Sequence, residues 1–248
     1  MPRKLAQGVE AVESPDAGSA ETFKQIELVI FDCDGVLVDS ERIAMRVHVL
    51  LGAELGWSLT EDEAIERFIG GSMLSITDQI AARLGDRTAA RWWERFVALH
   101  RREVDTGLSP VEGLPEALDA ITLPTCVASS GSHEKMIHTL GRTGLYDRFA
   151  GRIYSSTEVA RGKPAPDLFQ YAARRMGVDP AACAVVEDSR PGVEAARAAG
   201  MRCFAYAGGL TPRTWLEGPG TVIFDDMRGL PDLLAGRRPA LPAGDGDG

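Results

Sequence analysis

Two aspartates, Asp32 and Asp34, stand one residue apart, just after the apolar run Leu28-Val29-Ile30-Phe31 and just before Gly35. The run is short, rich in β-branched and large apolar residues and without a helical stripe, and is read as a buried strand. Side chains i and i+2 of a strand share a side. The two carboxylates could therefore converge at or just past the C-terminal end of the strand, where open α/β sheets keep their ligand crevices. Such a pair needs a compensating cation, and a hard metal ion bound by oxygen ligands would serve. Asp-x-Asp-Gly is equally the make-up of a plain surface turn, and by itself this stretch leaves both readings open.

Three further groups of reactive residues follow other short apolar runs. Ser129-Ser130-Gly131-Ser132 follows the run 124–128, and Glu187-Asp188-Ser189 follows 183–186; Gly162-Lys163-Pro164 lies between them. Taken singly, these read as a turn or helix cap, a capping segment and a solvated loop. Taken together, each acidic or hydroxyl group stands at the tip of a strand, and in a parallel sheet those tips share one edge. Two aspartates, a hydroxyl, a lysine and an acidic pair can then meet there.

The elements needed to bring them together are legible. Strands at 152–154, 202–205 and 221–224 join those already named, and they alternate with helices at 114–120, 133–141, 166–176 and 191–199. Short apolar strands alternating with helices predict a Rossmann-like α/β core, a parallel sheet with right-handed crossovers. Between the first strand and the rest, 40–106 shows little sign of a strand. Helical segments are read there at 41–55, 60–68, 75–84 and 87–104, with breaks at Gly56, Gly70-Gly71 and Gly85 and a capping box from Thr60 to Glu63. Trp92, Trp93 and Phe96 are assigned to helix packing. The expected organisation is a core of 24–40 and 109–236, an inserted helical cap of 41–108 suited to excluding water, and loose tails at 1–23 and 237–248.

The chain has 248 residues, 44% hydrophobic and 25% charged, with a formal net charge of -9. That balance fits a soluble enzyme and argues against a nucleic-acid binder, which would carry a basic face. It is compatible with phosphorylated substrates, because a bound metal inverts the local charge. Cys33, Cys126, Cys183 and Cys203 lack metal-ligand spacing, so neither a zinc site nor a disulfide framework is expected. No signal-peptide core and no membrane-length apolar stretch is present. A cytoplasmic protein without a membrane partner is expected, as a monomer or homodimer.

Over roughly residues 26–235 the chain resembles the haloacid dehalogenase superfamily, and its helical insertion looks like the first cap type of that family. Asp32-Cys33-Asp34-Gly35-Val36-Leu37-Val38-Asp39-Ser40-Glu41 matches the first motif; Ser129, Lys163 and Glu187-Asp188 stand at the second, third and fourth. The resemblance implies that Asp32 is a nucleophile forming an aspartyl-phosphate and Asp34 the general acid/base. It implies Mg²⁺ held by Asp32, Asp188 and the backbone carbonyl of Asp34, with Glu187 nearby or acting through water. Chemistry agrees. A carboxylate attacks a phosphate dianion only when the repulsion is cancelled, which Mg²⁺ and Lys163 can do. Gly35, Ser129 and Ser130 would hold phosphoryl oxygens beside Lys163.

An aspartate at position 34 favours phosphate-ester chemistry over the family's dehalogenase and phosphonatase branches. The cap loop Ile69-Gly70-Gly71-Ser72-Met73-Leu74 resembles the loop that faces the active site, so Gly70, Gly71 and Ser72 are substrate-side candidates. His133 is another, with a solvated residue in a helix's first turn as the plainer reading. Beta-phosphoglucomutase relatives carry a lysine, an arginine and a histidine where this chain has Ile69, Met73 and Ala44, which weakens a mutase reading. The passage 123–136 looks more like sugar-phosphate phosphatases of the 6-phosphogluconate kind. The expectation is a Mg²⁺-dependent phosphatase acting on a small phosphorylated metabolite, a sugar phosphate or sugar-acid phosphate. A phosphomutase and a non-catalytic phosphometabolite binder are the alternatives. His48 and His100 receive no role, and Arg161 is taken as a surface residue.

Overall fold

The computed structural model describes residues 24–71 and 73–237, so the tail 1–23, residues 238–248 of the C-terminal tail, and Ser72 lie outside the described residues. The chain runs β1 (Leu28–Phe31), α1 (Ser40–Leu55), α2 (Glu61–Phe68), α3 (Met73–Leu84), α4 (Asp86–Gly107), α5 (Leu114–Ala120), β2 (Thr125–Ser129), α6 (His133–Arg142), α7 (Tyr146–Phe149) and β3 (Ile153–Ser155). It continues through α8 (Asp167–Met176), β4 (Cys183–Glu187), α9 (Arg190–Ala198), β5 (Arg202–Tyr206), α10 (Arg213–Leu216), β6 (Thr221–Phe224) and α11 (Leu230–Leu234).

The six strands form one parallel sheet in the order β3-β2-β1-β4-β5-β6. Connections leave β1 toward β2 on one side and β4 lies on the other, so β1 stands at a topological switch point, where α/β sheets open a crevice. Neighbouring β1 residues bury into opposite layers. Val29 and Phe31 pack with Val127, Leu140, Phe149 and Val186, while Leu28 and Ile30 pack with Cys126, Phe169, Val185 and Cys203. Coverage on both faces explains why these strands are near-continuous apolar runs. The register is what aligns the chemistry: Phe31 pairs with Val127 on one side and Val186 on the other. One residue beyond that level lie Asp32 and Glu187, and two beyond lies Ser129.

Helices α1–α4 form a separate apolar cluster around Val47, Leu51, Phe68, Ile80 and Trp92. The capping box is present, with Glu63 N–H donating to Thr60 Oγ1 at 3.2 Å and Thr60 N–H to Glu63 Oε2 at 2.8 Å. The chain leaves for this unit and returns side by side. Val38 bridges Pro110, and Asp39 N–H donates to Ser109 O at 3.0 Å. Helix α3 starts at Met73, two residues before the sequence reading placed it, and the short helices α7, α10 and α11 were not read because four or five residues show no period. Among the described residues no helix is long and apolar enough to cross a membrane.

Candidate active site

Asp32 follows β1 directly and is buried. Its Oδ1 lies 2.5 Å from Lys163 Nζ, which comes from the loop before α8 and also donates to Glu187 Oε1 at 2.5 Å. The lysine stem lies against Phe169, its nitrogen 4.9 Å from the ring centroid. Burial pushes the Asp32 carboxyl up to about 7, against the pull of the Lys163 charge. Lys163 itself is held charged: burial works against it, and the two carboxylates outweigh burial.

Glu187, at the end of β4, is fully buried and fully engaged. Besides Lys163, it accepts from Asp188 N–H at 3.0 Å, Ser189 N–H at 3.0 Å and Ser189 Oγ at 2.9 Å. Asp188, one residue on, is the opposite case: its buried Oδ2 meets no N–H or hydroxyl donor among the described residues, and the neighbour its carboxyl can hydrogen-bond is another acid, Glu41. Burial, then the neighbouring Glu41, push its carboxyl well above the usual range. Glu41, from the first turn of α1, is raised to about 7, chiefly by burial. Asp32, Glu187 and Asp188 each bring a carboxylate oxygen within 4.8 Å of the others. An orphaned buried carboxylate oxygen among other acids fits a hard divalent cation. The hydrogen bonds make Glu187 primarily the holder of Lys163. The Asp34 side chain stands apart from this cluster, so any part it takes in binding a metal falls to its backbone carbonyl.

Gly35 is what lets Asp188 in. Its φ is +75°, and a Cβ there would stand 2.0 Å from Asp188 Oδ2. The turn therefore requires glycine on both counts.

Asp34 accepts from Ser40 Oγ at 2.5 Å and from Lys135 Nζ at 2.7 Å. Burial opposes its charge, but Lys135 and Ser40 together hold its carboxyl below the ordinary value. Lys135 was not singled out from the sequence. Its signal was Ser132, the cap of α6, which accepts from Lys135 N–H at 3.3 Å and so sets Lys135 in the first turn, at the strand edge. Glu41 sat inside the first motif and was passed over for the same reason: a helix-start glutamate has an ordinary explanation.

Ser129 and Ser130 lie at the end of β2. Ser129 Oγ accepts from Gly131 N–H at 3.2 Å, and Ser130 O accepts from Ser156 Oγ at 2.9 Å. These residues, with Asp32, Asp34, Lys163 and Asp188, line a cavity of about 900 Å³. The cap supplies its opposite wall, including Gly70 and Gly71, His48, Phe96 and His100. Asp32, Asp34, Ser129, Ser130, Lys163 and Asp188 are thus brought together, and the cap glycines stand above them. His133 is not among the cavity's lining residues: its Nε2 lies 2.9 Å from Glu158 Oε2, and Lys135 and His138, later in the same helix, line the cavity instead. Arg161 pairs with Asp167 on the surface. Trp93 and Phe96 pack the cap helices and also line the cavity.

A family model for haloacid dehalogenase-like hydrolases matches residues 26–200. The 6-phosphogluconate phosphatase of Escherichia coli (strain K12) is 34% identical over 217 residues, covering 86% of this chain and 96% of that protein. A conserved haloacid dehalogenase-like protein of unknown function from Agrobacterium tumefaciens str. C58 superposes with a TM-score of 0.78 at 35% identity, covering 85% of this chain and 98% of the other. A haloacid dehalogenase-family hydrolase from Deinococcus radiodurans R1, solved with bound phosphate and sodium, gives a TM-score of 0.70 at 29% identity, covering 86% and 96%.

Proposed function

The chain belongs to the haloacid dehalogenase-like hydrolases, and from that membership we propose that it hydrolyses the phosphate monoester of a small metabolite, a sugar phosphate or sugar-acid phosphate, through an aspartyl-phosphate on Asp32. The observation that carries this reading is the meeting of Asp32, Lys163 and Asp188 at one sheet edge with Asp34, on the floor of a capped cavity. Among relatives it is supported by the 6-phosphogluconate phosphatase, 96% of whose length is covered. The phosphate bound by the Deinococcus radiodurans hydrolase supports an anion site in this fold.

Asp34, which Lys135 and Ser40 keep ionised in the free protein, takes up a proton as the phosphate dianion brings like charge beside it. Asp32 then attacks phosphorus, and the ester oxygen leaves with that proton. In the second half Asp34 takes a proton from water as the water attacks phosphorus, which frees Asp32 and releases inorganic phosphate. Lys163 neutralises the nucleophile and a phosphoryl oxygen, and the Ser129 hydroxyl and nearby backbone N–H groups hold the remaining oxygens. Magnesium, held by Asp32, Asp188 and the backbone carbonyl of Asp34, would supply positive charge for the phosphoryl group. Helices α1–α4 close over the site and limit water to the molecule being used. Ala44, Ile69 and Met73 all line the cavity. They offer no charged group to grip a second phosphate there, which supports a hydrolase over a mutase. The four unpaired, buried cysteines support work in a reducing compartment, the cytoplasm.

The test is phosphate release from a panel of sugar phosphates and sugar-acid phosphates, with Mg²⁺ and with chelator. Asp32→Asn should lose at least about a thousandfold in kcat while keeping its fold, as nucleophile variants do. Normal turnover by that variant, or isomer formation without phosphate release, would overturn the reading.

A further inference from the structure

Lys135 is a cation that the phosphoryl step does not need. Lys163 already serves the nucleophile, and an ammonium beside the acid/base does nothing for the transferring phosphate. One of its three donors goes to Asp34 Oδ2, and the others have no acceptor among the described residues. Its side chain is 43% exposed, and that exposure opens into the cavity it lines. The adjoining wall comes from the C-terminal half of α4, which is tied to α6 where Arg142 donates to Asp105 O and His138 Nε2 lies 2.9 Å from Asp105 Oδ1. That stretch of α4 contributes His100 and Arg101 to the same cavity, and Arg101 is exposed with no ion pair among the described residues. Most of the remaining cap wall is apolar, through Ala44, Met45, Ile69, Met73, Ile76 and Phe96. Apart from Lys163 at the nucleophile, positive charge on the cavity wall is therefore confined to the α4–α6 seam, beside the acid/base and so on the leaving-group side of the reaction. Glu134, in the same turn of α6, also lines the cavity and is exposed. Lys135 and Arg101 stand against two carboxylates, Asp34 and Glu134, so the seam carries no net charge to spare. Its free N–H donors suit a monoanion better than a second phosphate dianion.

We propose that Lys135, with Arg101, is the specificity determinant that binds a carboxylate on the leaving group, so that the substrate is the phosphate ester of a hydroxy acid. The inference rests on the phosphatase reading above.

The test compares two esters that differ only at the far end, 6-phosphogluconate and sorbitol 6-phosphate, with p-nitrophenyl phosphate reporting the hydrolytic reaction by itself. The full chain with Mg²⁺ should favour the acid in kcat/KM by about tenfold or more, mainly through KM, the size of effect that a charge-assisted hydrogen bond gives. Lys135→Gln should reduce that ratio about tenfold, whatever it does to both rates through Asp34. Arg101→Gln, on an exposed helix position, should reduce the ratio as well and serves if the first variant does not fold. A ratio near one in the unaltered protein overturns the inference. So does an equal loss on both esters in Lys135→Gln, which would make Lys135 only a support for Asp34. Turnover of p-nitrophenyl phosphate with neither ester accepted overturns this inference alone; no turnover of any of the three overturns the phosphatase reading with it.

Discussion

The ammonium nitrogen of Lys163 lies 2.5 Å from Asp32 Oδ1 in a setting that leaves 4% of the lysine side chain and 10% of the aspartate exposed. Glu187 shares the same nitrogen at 2.5 Å and is wholly buried. One cation thus serves two interior carboxylates, and removing it strands both. Breaking a buried ion pair from one side costs about 3–5 kcal/mol, more than the pair contributes relative to apolar groups. Lys163→Met should lose a stability of that order at pH 8, read by urea unfolding, and essentially all phosphatase activity. The loss should shrink at pH 5, because Asp32, with its carboxyl at about 7 beside Lys163, is then protonated in the unaltered protein as well and less of the ion pair is there to lose.

The alternation of strands and helices and the tips that carry Asp32, Ser129 and Glu187 were legible because the sheet is buried on both faces, which writes each strand as an apolar run with an abrupt polar end. Strand order was not legible, since nothing in β2 or β4 records which side of β1 it takes. Within the site, the resemblance implied Asp188 on the metal with Glu187 nearby or acting through water, but the engagement of Glu187 with Lys163 and Ser189 was hidden. Adjacent acids look alike in sequence, and only the hydrogen bonds to Lys163 and Ser189 show one to be engaged and the other open. His133 was over-read for a related reason. A residue following Ser129 is near the site in sequence, but its place in the first turn of α6 turns it to Glu158, while Lys135 two positions on reaches Asp34.

Gly35→Ala should damage fold and site together. At φ +75° an alanine pays about 1–2 kcal/mol in backbone strain. The new Cβ would also stand 2.0 Å from Asp188 Oδ2, so the carboxylate must move. Displacing a carboxylate proposed to hold Mg²⁺ should weaken Mg²⁺ activation by about tenfold or more. A Mg²⁺ titration of activity alongside urea unfolding checks both. Unchanged Mg²⁺ dependence in a destabilised variant would separate Asp188 from the metal.

Removal of the metal should matter more as pH rises. Asp32 and Glu41 are raised to about 7 and Asp188 is raised well above its usual range, each chiefly by burial, from ordinary values of 3.8, 4.5 and 3.8. Carboxyls raised on folding favour the folded state most fully below their unfolded values, and that contribution is lost as pH climbs through the folded ones. The metal-free protein should therefore lose stability between about pH 4 and 8 from this cluster. Mg²⁺ binds the ionised carboxylates, so it should raise Tm more at pH 8 than at pH 5. Thermal melts at both pH values, with chelator and with Mg²⁺, give the comparison, and an equal shift at both would contradict it.

Inside the cap, His48 is the residue whose loss should be read at two pH values. Its Nδ1 accepts from Trp92 Nε1 at 3.1 Å, Trp92 is fully buried, and Phe96 stacks on the imidazole with centroids 4.4 Å apart. An accepting Nδ1 requires the neutral ring, and burial agrees, pushing the imidazole down to about 4 from an ordinary 6.5. His48→Leu leaves the indole N–H of Trp92 without an acceptor in a dry interior, at a cost of about 1–3 kcal/mol. The contribution of His48 is whole above pH 6.5 and is lost as pH falls toward 4, since the unfolded chain then binds a proton that the folded one refuses. The difference in urea stability between the unaltered protein and His48→Leu should therefore be largest at pH 7 to 8 and narrower at pH 5. A gap that widened in acid would mean that the folded protein carries His48 protonated, against the acceptor role of its Nδ1.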